Sequence, residues 1–161
     1  WFPAMVSNHV MDLIERYAAE NDHRARCCVN LADGVLALSR GDDIVAQRHW
    51  HDLLAVSSEH GFGLLWVDAL EGLAICAARA GAADEAARLV GATESARNDR
   101  GYQYRYPHLA ELPPGSDEGR ALSLEEATAA VQEAVAQQAA NAGFNRLALE
   151  APGDRVKLAG G

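Results

Sequence analysis

His49 and His51 flank Trp50, Asp52 follows, and His60 lies further along, so one stretch of the chain is dense in groups that ligate metals or move protons. A metal site on a helix needs ligands one turn apart on a common face. His49 and Asp52 meet that spacing, but His51 and His60 do not join them. Ser57 and Ser58 near His60 place hydroxyls beside an imidazole, the ingredients of an activated nucleophile. No strand-turn-helix elbow or third orienting group goes with them. Glu15, Glu71, Glu85, Glu94, Glu125 and Glu126 each suit a helix cap or a solvated face, and none stands apart as an acid–base couple. The expectation is a chain with no catalytic, cofactor-binding or metal-ligating residue, and not an enzyme.

Cys27, Cys28 and Cys76 are odd in number, and the first two are neighbours. Adjacent residues on a helix point about 100° apart and do not easily form a disulfide. Reduced, packed thiols and a cytoplasmic setting are expected. Tyr102, Tyr104 and Tyr106 alternate, with Arg100 before them and Arg105 among them. In an extended strand such tyrosines share one side, and with arginine they make a stacking platform or a protein-binding rim, unless they simply pack the connector onto the last hairpin. Trp50 and Trp66 are expected to fill the space between helices, next to any concave apolar groove. The candidate contact residues for a partner or effector are therefore Trp50, Trp66, Tyr102, Tyr104 and Arg105.

The elements that must position these residues are punctuated by glycine at 41, 61, 81 and 101, one rung every twenty residues. Glycine takes the left-handed conformation that ends a helix without the Cβ penalty. Between rungs the apolar residues recur at helical steps. Met5, Val6, Val10, Leu13, Ile14 and Tyr17 mark a helix from Ala4 to about Glu20, and Asn21-Asp22 cap another that runs to Arg40. Asp42-Asp43 open the next, which carries Ala46, Trp50, Leu53 and Leu54 inward, and Asp84-Glu85 open one that ends in Arg97 and Arg100, charges that suit the helix dipole. The helix from Phe62 to Ala80 is apolar nearly all round, as befits one lying between two neighbours. Periodicity dissolves over 101–122, read as an irregular connector. Ser123-Leu124-Glu125-Glu126 is a capping box that starts a last helix, expected over 123–142 and ending near Asn141-Ala142-Gly143. The expected layout is a helical array over 1–143 with a tail over 144–161.

Residues 34–61 overlay 74–101, with Gly34 on Ala74, Ala46 on Ala86, Trp50 on Val90 and Gly61 on Gly101. A small residue, an alanine twelve positions on and a bulky residue four further on is the spacing that lets paired helices approach in tetratricopeptide-type repeats. The fold class expected is all-α, a tetratricopeptide-like antiparallel array of helical hairpins with about six helices. The stretch Ala69 to Ala74, the run AADEAARLVG at 82–91, Ala92 to Arg97, the Gly-Tyr-x-Tyr at 101–104 and GRALSLEEA at 119–127 resemble the C-terminal helical region of large actinobacterial regulators. Those proteins join an ATPase module, sometimes preceded by a cyclase domain, to such repeats, and many end in a LuxR-type helix-turn-helix. The family generally has a further helix between the equivalents of Tyr106 and Gly119, where this chain has a short proline-containing link.

The resemblance implies a non-catalytic sensing or protein-interaction module of a multidomain signal-transduction or transcriptional regulator. Its partner would be another protein or the neighbouring domains of a parent regulator. A structural oligomerisation domain forming a homodimer, and a receptor for a small-molecule effector, are the alternatives. No Walker-type phosphate loop or helix-turn-helix occurs in the sequence, so ATPase, cyclase or DNA-binding activity would belong to other parts of a parent. A net charge of -9, with 14 basic residues scattered among 23 acidic ones, argues against direct nucleic-acid binding by this segment. Asp68, Glu71 and Arg79 break the most apolar stretch, so no membrane span is expected.

Overall fold

A computed structural model describes residues 22–102 and 112–150, with side chains to Ala142. The expected helix over Ala4 to Glu20, Tyr104, Arg105 and Tyr106 lie outside the described residues. Within them every regular element is a helix: α1 (His23–Ser39), α2 (Asp43–Glu59), α3 (Gly63–Arg79), α4 (Ala83–Arg100), α5 (Asp117–Arg120) and α6 (Leu124–Glu150). The chain divides into two compact units, Trp1–Thr128 and Ala129–Gly161.

The glycine ladder is built four times by one device. Gly41, Gly61, Gly81 and Gly101 have φ of 75°, 66°, 82° and 62°, the left-handed region open to glycine at little cost. At each, the following amide reaches back to a carbonyl five residues earlier: Asp42 to Ala37, Phe62 to Ser57, Ala82 to Ala77 and Tyr102 to Arg97, all at 2.9 to 3.0 Å. That bond satisfies a carbonyl the helix end leaves orphaned and reverses the chain. The residue that donates it is also the N-cap of the next helix at Asp42, Phe62 and Ala82. One residue thus closes one helix and opens another.

Links this short force consecutive helices to run antiparallel, and contacts between opposite ends show it. Arg79 at the end of α3 bridges Asp43 at the start of α2 at 2.8 Å. His60 after α2 stacks on His23 at the start of α1, ring centres 3.9 Å apart. The sequence-based fold class, an all-α array of helical hairpins, is the architecture observed.

Trp50 keys the first three helices together. The α2 indole, 1% exposed, lies between a glycine of α1 and a glycine of α3. A Cβ on Gly34 would meet it at 2.8 Å and one on Gly72 at 2.2 Å, so both positions must lack one. α2 and α3 also bury Ala46, Leu53, Leu54, Val67, Leu70, Leu73 and Ile75, all 5% exposed or less. The fit carries a cost, because the buried Trp50 Nε1 has no hydrogen-bond partner among the described residues.

Residues 112–122 of the connector are more ordered than the sequence suggests. After Pro113-Pro114 the chain returns to α4: the Ser116 amide donates to the Ala87 carbonyl at 2.9 Å, and α5 sits against Gly91. A Cβ on Gly91, Gly115 or Gly119 would fall within 2.7 Å of backbone across this seam, so backbone touches backbone. Ser116 caps α5 through the Gly119 amide, and Arg120 pins it to Glu94 at 3.1 Å.

The capping box at the start of α6 forms as expected, with the Ser123 amide bonded to Glu126 at 2.8 Å and the Glu126 amide to Ser123 at 3.1 Å. Leu124, Ala127 and Thr128 are buried. In the second unit α6 continues to Glu150 rather than stopping near 141–143. Gly143 costs a helix interior only about 1 kcal/mol, and the helix formers Arg146, Leu147, Ala148, Leu149 and Glu150 carry it on until Pro152 approaches. Of this unit's described side chains, Val131 is buried and residues 132–142 are exposed.

Candidate functional site

Among the described residues the buried charged side chains gather between α3 and α4. The α3 face that meets α4 presents Asp68 and Glu71 one turn apart, 4% and 0% exposed. Arg97 on α4, 3% exposed, answers both. Its guanidinium grips Glu71 as a fork, Nε to Oε1 at 2.6 Å and Nη2 to Oε2 at 2.5 Å, and the same Nη2 reaches Asp68 at 3.3 Å. Tyr102, just beyond the Gly101 turn, lays its ring on the guanidinium at 4.3 Å and donates its hydroxyl to Asp68 at 3.4 Å. Arg97 Nη1 also donates to the Tyr102 carbonyl at 3.4 Å.

Planar arginine matches a carboxylate with two parallel bonds, and Glu71 takes both. Asp68 receives the longer contacts. Burial pushes its carboxyl up to about 7 against the pull of Arg97, with the Glu71 charge adding to the rise and the Tyr102 hydroxyl opposing it. Burial, and then the Asp68 charge, raise the Tyr102 phenol as well. The cluster is therefore an interhelical clamp with one acid that exchanges a proton near neutrality.

These positions correct the expectation for Glu71 and Arg97. Glu71 is not on a solvated face and Arg97 is not merely the basic end of α4; each is the other's partner across 26 residues. The signal was present in α3, since a helix apolar nearly all round gives its carboxylates no water and obliges them to find a cation.

Trp50 and Trp66 lie in the core, 1% and 8% exposed. Trp66 Nε1 donates to Thr128 Oγ1 of α6 at 2.7 Å, so its polar edge is spent on holding the array. Tyr102 is half-buried in the clamp, while Tyr104 and Arg105 lie outside the described residues.

His49 Nδ1 is 3.2 Å from Asn30 Oδ1 on α1, and His60 stacks between His23 and Phe62 with Arg24 over the Phe62 ring. Burial lowers the His51 imidazole. Among the described residues no group of three or more His, Cys, Asp or Glu is gathered as metal ligands. Burial pushes the Cys27 and Cys76 thiols up to about 11, which suppresses the thiolate, and Cys28 is exposed.

No family model, curated protein or solved structure matches the chain. Among the described residues no helix is long and apolar enough to cross a membrane.

Proposed function

We propose that the chain is a non-catalytic helical-repeat module that senses or binds a protein partner within a multidomain signal-transduction or LuxR-type transcriptional regulator. The observation that supports this most is the use of its strongest polar groups. Asp68, Glu71 and Arg97 are turned inward to join α3 to α4, and Trp66 and Thr128 join α3 to α6, so the ionic and aromatic chemistry holds an array together. Arrays of hairpins present extended surfaces, and binding is what such surfaces do well. The GRALSLEEA run at 119–127, which seats α5 and starts α6, supports the regulator setting by its resemblance to the end of such arrays.

Sequencing the complete reading frame that encodes this chain tests the setting. An ATPase phosphate loop upstream or a helix-turn-helix downstream is expected. A frame that closes without either would remove the regulator reading.

A further inference from the structure

Two imidazoles from different helices lie face to face at one end of the hairpins. His23, the first residue of α1, stacks on His60, which follows α2, with ring centres 3.9 Å apart and planes 26° from parallel. Phe62 stacks on His60 in turn at 5.7 Å, and the Arg24 guanidinium lies over the Phe62 ring at 4.7 Å. The stack ties the start of α1 to the turn between α2 and α3. Both histidines are exposed, so protons from water reach either ring.

We propose that the His23–His60 stack is an acid-sensitive clasp: it holds while the pair carries at most one proton charge and parts when both rings are protonated. Two neutral rings attract each other when stacked. A single imidazolium on His60 keeps a favourable partner in Phe62, whose ring face attracts a cation. A second proton sets two like charges 3.9 Å apart, with no room for water between the rings. Among the described residues the charged groups around the stack are Asp22 and Arg24 on α1, Glu59 on α2 and Arg100 on α4, whose Nε would lie 3.1 Å from a Cβ on Gly63. The two acids do no more than balance the two arginines. Asp22 also spends its carboxylate on the Arg24 and Ala25 amides, at 2.9 and 3.2 Å. No carboxylate among the described residues is within ion-pair distance of either imidazole. Imidazole is the side chain that gains its charge between about pH 8 and 5, so the repulsion switches on in that interval. The clasp rests on this geometry and does not depend on the proposed function.

Solution NMR of the full chain at pH 8 and pH 5 tests the clasp. Nuclear Overhauser contacts between the His23 and His60 ring protons should be present at pH 8 and lose intensity at pH 5. The Arg26 amide, bonded to the Asp22 carbonyl at 3.0 Å in the first turn of α1, reports the consequence. With intrinsic exchange at each pH divided out, its hydrogen-exchange protection should fall about fivefold or more, the shift that like charges about 4 Å apart produce even in bulk water. His23→Phe keeps a ring on His60 but removes one of the two charges, so its Arg26 protection should hold at pH 5. His60→Phe removes the other charge and should behave alike, which keeps the test decisive if one variant fails to fold. Ring contacts of equal intensity at both pH values would overturn the proposal, as would a fall in Arg26 protection that persists undiminished in either variant.

Discussion

Replacing Gly72 with alanine isolates the feature that fixes how closely α2 and α3 approach. The added methyl would lie 2.2, 2.4 and 2.7 Å from Trp50 Cδ2, Cε2 and Cε3, where carbon atoms normally rest about 3.5 to 4.0 Å apart. Either the indole or the helix must move by more than about 1 Å. The indole has little room, because Gly34 on its other side is equally committed. Overpacking of this kind costs about 1 to 3 kcal/mol, and the gain in helix propensity from glycine to alanine returns about 1 kcal/mol. The upper end of the range fits a rigid ring gripped from both sides, so the net loss should be about 2 kcal/mol. Urea unfolding followed by circular dichroism reads this as a lower midpoint with an unchanged slope. In a Trp50→Leu background the same substitution should lose its cost and become neutral or stabilising, a coupling that a double-mutant cycle measures. Gly72→Ala that is as stable as wild type, or equally harmful without the indole, would refute the keyed packing.

Other perturbations separate the remaining devices. Gly41→Ala meets no atom within 4 Å but keeps φ at +75°, so it should cost about 1 to 2 kcal/mol through backbone strain alone, measurable by the same unfolding assay. Glu71→Ala removes both bonds of the Arg97 fork to its carboxylate and should cost about 3 kcal/mol. Asp68, raised from 3.8 to about 7, gives the opposite sign from an ordinary ion-paired acid. The native state holds its proton more tightly than the unfolded chain does, so stability falls as pH rises from about 4 to 7, by up to about 4 kcal/mol, and unfolding midpoints of Asp68→Asn should lack that fall. Gly119→Ala would put a methyl 2.1 Å from the Arg88 carbonyl oxygen, and the Ser116 amide should lose hydrogen-exchange protection as α5 lifts from α4. Thiol titration in the native state should label Cys28 rapidly, and Cys27 and Cys76 only as the array opens.

What the sequence disclosed and what it hid follow from the range of the forces concerned. The helix ends were legible because a left-handed turn is a local demand that glycine answers, and the capping box at Ser123 is local in the same way. Gly34, Ala46 and Trp50 were visible as a packing set because the spacing of paired helices repeats along the chain. Gly72 was not: the repeat pairs Gly34 with Ala74, yet the closest approach to the indole on α3 falls at Gly72. That Glu71 needs a cation was readable from the apolar α3, but that Arg97 supplies it was hidden, because an arginine suits a helix C-terminus and local electrostatics was satisfied there. Only their meeting in space revealed the clamp. The seat of α5 escaped for another reason. Its glycines 91, 115 and 119 work by what they lack, and missing side chains leave no periodic pattern.

The central claim, that this array is a binding module, is tested most directly by sedimentation velocity on the chain mixed with the separately expressed other segments of the regulator proposed above. The account predicts a discrete heterocomplex at micromolar concentration, with the chain alone monomeric. A chain that sediments independently of those segments and forms a stable homodimer at low concentration would contradict it, and would make the array an oligomerisation domain instead.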